Sequence, residues 1–346
     1  ASLTRGRVIS KEYLADNLGD YPVYSSQTVN NGEIGKINSF DFDGEFVSWT
    51  THGANAGTVF YRSGKFSITN VCGLIKIQNN LELNYKFLFY WLSIEAKNHV
   101  YSGMGNPKLM SHQMEKILIP IPPLSVQTEI VRILDALTAL TSELTSELTS
   151  ELTLRQKQYE YYREKLLSFD SLEQLNMGGA KKKLIDVAKI KNGKDWKHLG
   201  EGDIPIYGSG GIMGYVDTYS YDKPTVLIPR KGTITNIFYL EEPFWNVDTI
   251  YYTEIDTTQI LPKYFYHFMK TVDLTKLDTG SGRPSLTQAI LNEIPIFVPS
   301  IKEQQRIVSI LDKFETLTNS ITEGLPLAIE QSQKRYEYYR ELLLNF

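Results

Sequence analysis

The chain repeats itself. Residues from about 103 to 169 and from about 280 to 346 carry one pattern at a constant offset of 177 residues. Pro107 matches Pro284, Pro122 matches Pro299, and Gln127 matches Gln304. Asp135 matches Asp312, Tyr159 matches Tyr336, and Phe169 matches Phe346, with no gap in between. A match this long predicts two copies of one unit, each a variable domain followed by a long helix.

The helical part of the first copy runs over 125–169. No glycine or proline occurs between Pro123 and Gly178, so nothing breaks a helix there. About 43 helical residues would span roughly 65 Å, which suits a spacer or coiled-coil arm. In its middle the unit Thr-Ser-Glu-Leu occurs three times, over 141–152. Leucines four apart advance 400° on a helix, so the apolar stripe drifts by about 40° per unit. A strict heptad would not drift in this way. Such a stripe needs a partner. The expected packing residues are Leu137, Leu140, Leu144, Leu148, Leu152 and Tyr159, facing Ile307, Leu311, Phe314, Leu317, Ile321, Ile329 and Tyr336. The second helix, over 302–346, contains Gly324-Leu325-Pro326 where the first has Glu147-Leu148-Thr149, so it should bend or break there.

The domains read as short strands and turns. In the first, 21–24, 45–49, 58–61, 71–77 and the proline-punctuated 117–123 are strand-like, with turns at Asn31-Gly32, Asp43-Gly44 and Ser63-Gly64. Residues 83–101 look like an aromatic core helix ahead of the loop from Gly103 to Pro107. In the second, a short strand or helix at 184–188 precedes strands at 204–207, 225–228 and 249–253, an aromatic helix at 263–270, the loop 280–284 and a strand at 294–299. Thr4-Arg5-Gly6 aligns with Lys191-Asn192-Gly193, so the first copy is expected to be truncated at its start. The expected boundaries are 1–124 and 181–301 for the domains, 125–169 and 302–346 for the helices, and 170–180 for a linker.

At 346 residues, 42% hydrophobic and 22% charged, the chain has the make-up of an ordinary globular protein. No run of 18 apolar residues suggests a membrane span, and a single cysteine, Cys72, excludes an internal disulfide and suits the cytoplasm. The net charge is −4, with the domains near balance (+1 over 1–125, −1 over 170–302) and each helix at −2. A nucleic-acid ligand would therefore meet local basic patches, and partner subunits would add to the positive field.

The residues around the helix starts are the most distinctive. They are Pro120-Ile-Pro-Pro-Leu-Ser-Val-Gln127 with Ile130-Val-Arg-Ile-Leu-Asp135, and Ile294-Pro-Ile-Phe-Val-Pro299 with Glu303-Gln-Gln-Arg-Ile307 and Leu311-Asp312. Together with the duplicated layout, the tandem four-residue repeat and the Tyr-Glu-Tyr-Tyr-Arg helix ends, this pattern resembles the DNA-specificity subunit of type I restriction–modification enzymes. The resemblance implies an α+β fold: two pseudo-twofold repeated, strand-rich target-recognition domains separated by a pair of long antiparallel helices. It implies that each domain reads half of a bipartite double-stranded DNA site while this chain does no chemistry. It also implies two modification (methyltransferase) subunits, which bind S-adenosylmethionine, and two restriction/translocase subunits, which use ATP and Mg. Two pseudo-symmetric readers would meet half-sites about one helical turn apart, with the helices setting the gap.

DNA contacts are sought among polar, basic and aromatic loop residues. In the first copy these are Arg5, Arg7, Ser25, Ser26, Gln27, Asn30, Thr51, His52, Asn55, Asn106 and Lys108. In the second they are Lys194, Lys197, Tyr207, Ser209, Arg230, Lys231, Thr233, Asn236, Arg283 and Ser285. The segments 50–55 and 229–236 fall at corresponding places after a strand. Histidines 52, 112, 198 and 267 lack metal-ligand spacing, and no P-loop is present. Asn106-Pro107 is followed by Lys108, unlike the Asn-Pro-Pro-aromatic tetrapeptide of amino-methyltransferases. Asp186 with Asp195-Trp196-Lys197 only faintly resembles a nuclease cluster. The alternatives are a self-sufficient DNA-modifying enzyme and a protein-binding spacer.

Overall fold

A computed structural model describes residues 1–102, 105–174, 179–279, 282–320 and 322–345. Gly103, Met104, Gly280, Ser281 and the packing candidate Ile321 lie outside the described residues, as does the middle of the expected linker. The chain forms two compact units: residues 1–146 with 330–346, and residues 147–329. The units do not follow the expected domain limits, because each takes half of each long helical segment.

The first unit contains β1 (Ser2–Arg5), α1 (Lys11–Asp16), β2 (Leu18–Tyr24), β3 (Glu33–Ile37), β4 (Phe42–Thr50), β5 (Val59–Ile68), β6 (Cys72–Lys76), α2 (Tyr85–Glu95) and α3 (Ser111–Met114). Its six strands lie in the order β1-β6-β4-β5-β2-β3. Buried Val47, Trp49 and Ile75 of the sheet share a core with Phe87, Leu88 and Leu92 of α2. The expected strands at 21–24, 45–49, 58–61 and 71–77 fall on β2, β4, β5 and β6. The turns expected at Asp43-Gly44 and Ser63-Gly64 do not form. Gly44 and Gly64 stand opposite each other inside the β4–β5 ladder, which runs on to Phe42 and Phe66. Residues 117–123 join no ladder, whereas the matching residues of the second copy do.

One helix, α4 (Leu124–Leu167), then runs for 44 residues, followed by α5 (Phe169–Gln174). The second unit contains β7 (Ala180–Lys183), α6 (Leu184–Val187), β8 (Ala188–Lys191), β9 (Ile204–Gly208), β10 (Gly211–Val216), β11 (Thr225–Pro229), β12 (Phe238–Leu240), β13 (Trp245–Asn246), β14 (Ile250–Ile255), α7 (Pro262–Met269), α8 (Gln288–Asn292) and β15 (Pro295–Val298). Two of its sheets run β12-β11-β14-β8 and β10-β9-β13, and β15 pairs with β7. Read from β8 to β10, this is the strand order of the first unit, with β12 and β13 in place of β5. Both β5 and β13 pair in parallel with the strand that opens the following hairpin, β2 or β9. Pro243 lies in the break between β12 and β13, and proline cannot donate to a ladder.

The helical segments close each unit. The second copy's helix is α9 (Ile301–Asn319) and α10 (Leu325–Leu344), separated at Gly324, whose φ is +84°. A side chain there would sit 2.7 Å from the Leu317 carbonyl oxygen, so the break expected at this place needs glycine. In the first unit, Ile130 and Leu134 of α4 share the core with Leu344 of α10, and Thr138 Oγ1 donates to Tyr336 OH at 3.0 Å. In the second, Tyr159 and Leu167 of α4 share the core with Ile307 and Leu311 of α9, and Tyr162 stacks on Phe314. The two segments thus visit the units in opposite order, which is the connectivity of an antiparallel pair. The leucine stripe is only partly used. Leu137 is packed and Leu148, Leu152, Leu317 and Ile329 are half-buried, but Leu140 is 61% and Leu144 39% exposed.

A glutamine makes the junction of helix and domain in each unit. Gln127 is fully buried. Its Nε2 donates to Glu82 O (2.7 Å) and Pro122 O (2.8 Å), and its Oε1 accepts from Asn84 N (2.9 Å). Gln304 repeats this with Gln259 O (3.0 Å), Pro299 O (2.8 Å) and Leu261 N (2.8 Å). Two turns of helix further on, Asp135 binds Lys86 (2.5 Å) and Tyr90 (2.7 Å), and Asp312 binds Lys263 and His267 (both 2.8 Å). Gln127→Ala or Gln304→Ala removes three hydrogen bonds to backbone groups at once. Each change should destabilise its own unit by about 3 kcal/mol, read as a lower denaturant midpoint.

Candidate nucleic-acid interface

Three loops of the first unit are bound together. Gly53 N donates to Pro107 O (3.0 Å) and Leu109 N to Thr51 O (3.0 Å), joining the β4–β5 loop to the segment before α3. Tyr101 and Lys108 exchange both backbone hydrogen bonds. The loop between β2 and β3 is tied in by Asn55, whose Nδ2 donates to Ser26 O at 3.2 Å. Trp49 Nε1 holds Leu109 O from below at 2.9 Å.

The second unit builds the same assembly. Gly232 N donates to Pro284 O (3.1 Å) and Leu286 N to Arg230 O (2.8 Å). Asn236 Nδ2 donates to Ser209 O at 3.1 Å, in the turn between β9 and β10. Leu286 O is held from below by a different residue, Tyr251, whose hydroxyl donates at 3.2 Å.

Most of the candidate residues come together here, with differing freedom. Asn30, Asn106, Lys108, Thr233 and Arg283 are exposed. Ser25 Oγ accepts from Thr69, and Gln27 Nε2 donates to Glu33 O. Thr51 is buried, with its hydroxyl committed to Val71 O, so it braces the loop and offers nothing to a ligand. His52 Nδ1 lies 2.8 Å from Thr51 Oγ1, and burial, with the neighbouring cations Arg5 and Lys108, lowers its pKa. Arg5 donates to Asn70 O at 2.8 Å. Arg230 donates to Asp248 O (3.3 Å), Lys231 faces the Asp248 carboxylate (3.9 Å), and Ser285 N donates to Asp278.

Others lie elsewhere or serve packing. Arg7 is paired with Asp41 at 3.0 Å and covers Tyr13. Lys194 and Lys197 sit on the segment between β8 and β9, and Lys194 is anchored through its backbone to Asn246 and Trp245. Tyr207 packs its ring against Phe238 and Phe244, and burial raises its pKa. Sequence reasoning missed Asp248, Arg62 and the supports Trp49 and Tyr251. An acid directly after Trp245-Asn246-Val247, and a lone arginine inside a strand, were the available signals.

Among the described residues one group of side chains has metal-ligand proximity: His267, Asp312 and Glu315. Lys263 and Lys270 pair with the two carboxylates. Burial works against the charge of Asp312, but hydrogen bonds from His267 and Lys263 prevail and keep its carboxyl below the usual range. The first copy has Tyr90 in place of His267, so the cluster fits packing better than metal binding.

A family model for the type I restriction modification DNA specificity domain matches residues 1–154 and again residues 178–331. The chain belongs to that family. A Haemophilus influenzae protein described as a candidate type I restriction enzyme specificity subunit is 44% identical, over 95% of this chain and 89% of its own length. A candidate type I specificity subunit of Mycoplasma pneumoniae is 35% identical over 99% and 95%. The solved type I restriction–modification S subunit of M. genitalium superposes with a TM-score of 0.53 at 22% identity, covering 99% of this chain and 92% of that one. The two specificity domains therefore coincide with the two copies of the three-loop assembly. Asn55→Ala should speed amide hydrogen exchange in the β2–β3 loop, and Asn236→Ala in residues 209–211, each without effect on the other unit.

Proposed function

We propose that each unit is a target-recognition domain reading one half of a bipartite duplex, within a type I restriction–modification complex. The observation that carries this is the assembly built twice. Sequences that differ in their loops make the same backbone and asparagine hydrogen bonds and set different polar side chains on top. A scaffold held constant beneath variable, partly cationic loops suits a reader of base edges, with cations positioning the phosphates. By this reading the chain is not the catalyst. Two modification subunits supply S-adenosylmethionine chemistry and two restriction subunits use ATP and Mg.

The test uses the chain with its modification subunit and duplexes carrying two separated half-sites. Arg230→Ala with Lys231→Ala should weaken binding by about 1–3 kcal/mol and flatten the salt dependence by about one to two contacts. It should change preference at one half-site only. Unchanged sequence preference after exchange of residues 181–301 for another domain would overturn the reading.

Deleting one Thr-Ser-Glu-Leu unit shortens α4 by about 6 Å. The preferred gap should then shorten by one or two base pairs, at about 3.4 Å each. Methylation of a set of sites with stepped gaps reads this out.

A further inference from the structure

A buried arginine supports one loop of the first unit and has no counterpart in the second. Phe60-Tyr61-Arg62 of β5 corresponds to Phe238-Tyr239-Leu240 of β12, since Tyr61 faces Val47 on β4 as Tyr239 faces Val226 on β11. Arg62 is 2% exposed. Its guanidinium lies 3.6 Å from the Tyr24 ring centroid and 4.5 Å from that of Phe60, and Nε donates to Ser48 Oγ at 3.0 Å. Among the described residues no carboxylate pairs with it, and Nη1 has no hydrogen-bond partner. Glu33 attracts it only from a distance, and burying a charge without a direct ion pair is unfavourable.

Above the guanidinium is the loop of residues 25–32. Asn30 (φ 50°), Asn31 (φ 53°) and Gly32 (φ 81°) are left-handed in succession. A Cβ at position 32 would lie 3.1 Å from Arg62 Nη2, 3.2 Å from Gln27 O and 3.3 Å from Ser25 O. Gly32 thus lies directly against the guanidinium, with no room there for a side chain. The corresponding turn of the second unit holds only Ser209 and Gly210 between β9 and β10. A turn that short needs no core of its own, and Leu240 suffices there.

Building on the DNA-reading function proposed above, we propose that Arg62 is a positioning residue for the first unit's half-site. Its buried guanidinium, between two rings and against Gly32, fixes the shape in which Asn30 and Asn31 meet the DNA. Asparagine amides are suited to paired hydrogen bonds with adenine and to phosphate oxygens. Such contacts discriminate only when the backbone beneath them is held.

The experiment compares the full chain, complexed with its modification subunit, in wild-type, Arg62→Leu, Arg62→Lys and Gly32→Ala forms. The probe is a duplex library with two randomised half-sites at stepped gaps. The first unit's half-site is the one whose preference survives exchange of residues 181–301. Arg62→Leu installs the second unit's residue, Arg62→Lys keeps charge without the planar fork, and Gly32→Ala forces the loop and the guanidinium apart while residue 62 stays arginine. Discrimination at one or more positions of the first half-site should fall roughly tenfold or more, the scale of one lost base contact. The second half-site should keep its profile. A wild-type first half-site profile in both Arg62→Lys and Gly32→Ala overturns the proposal, as does equal flattening of both half-sites. A wild-type complex with no half-site preference instead overturns the DNA-reading function, and the proposal with it.

Discussion

In each unit a buried glutamine on a long helix saturates three backbone groups of the domain beside it. Gln127 and Gln304 accept from the start of α2 and α7 and donate to two carbonyls, one of them just ahead of their own helix. The glutamine side chains themselves are fully buried, so each amide's hydrogen bonds must all be made within the protein. The aspartate two turns on, Asp135 or Asp312, fixes the same helix through a lysine and either a tyrosine or a histidine. The loops above are positioned against α2 and α7 and the sheets, so their placement inherits this junction.

The domains keep a topology that their sequences conceal. Strand order is the same in both units although one long strand, β5, is replaced by β12 and β13. Different side chains do the same work: Trp49 and Tyr251 both donate to the leucine carbonyl behind the third loop. Such substitution is tolerated because the requirement is a donor at a point in space. The loops' backbone bonds are kept, and the side chains above them are free to differ.

Charge is handled differently in the two loop clusters. In the second, Asp248 accompanies Arg230 and Lys231. In the first, the equivalent place holds Asn70, whose carbonyl accepts from Arg5, and His52 sits among the cations Arg5 and Lys108. Two readers with different donors and acceptors suit an asymmetric target.

The duplication, the single long helix, the break at Gly324 and the family resemblance were legible in the sequence, because they rest on spacing and on residues that act locally. Helix continuity needs only the absence of breakers, and a glycine two residues before a proline is enough to end one. What lay beyond the sequence was set by contacts between distant residues. Pairing across the β4–β5 ladder overrode the turn signals at Gly44 and Gly64. Some of the expected contact residues are held by other partners, as Thr51, Arg7 and Tyr207 show. Asn55 and Asn236 stand off the 177-residue register, so their shared role emerged only when folding brought each beside a carbonyl of another loop. Arg62 reads as an ordinary charged strand residue until Tyr24, Phe60 and the 25–32 loop close over it.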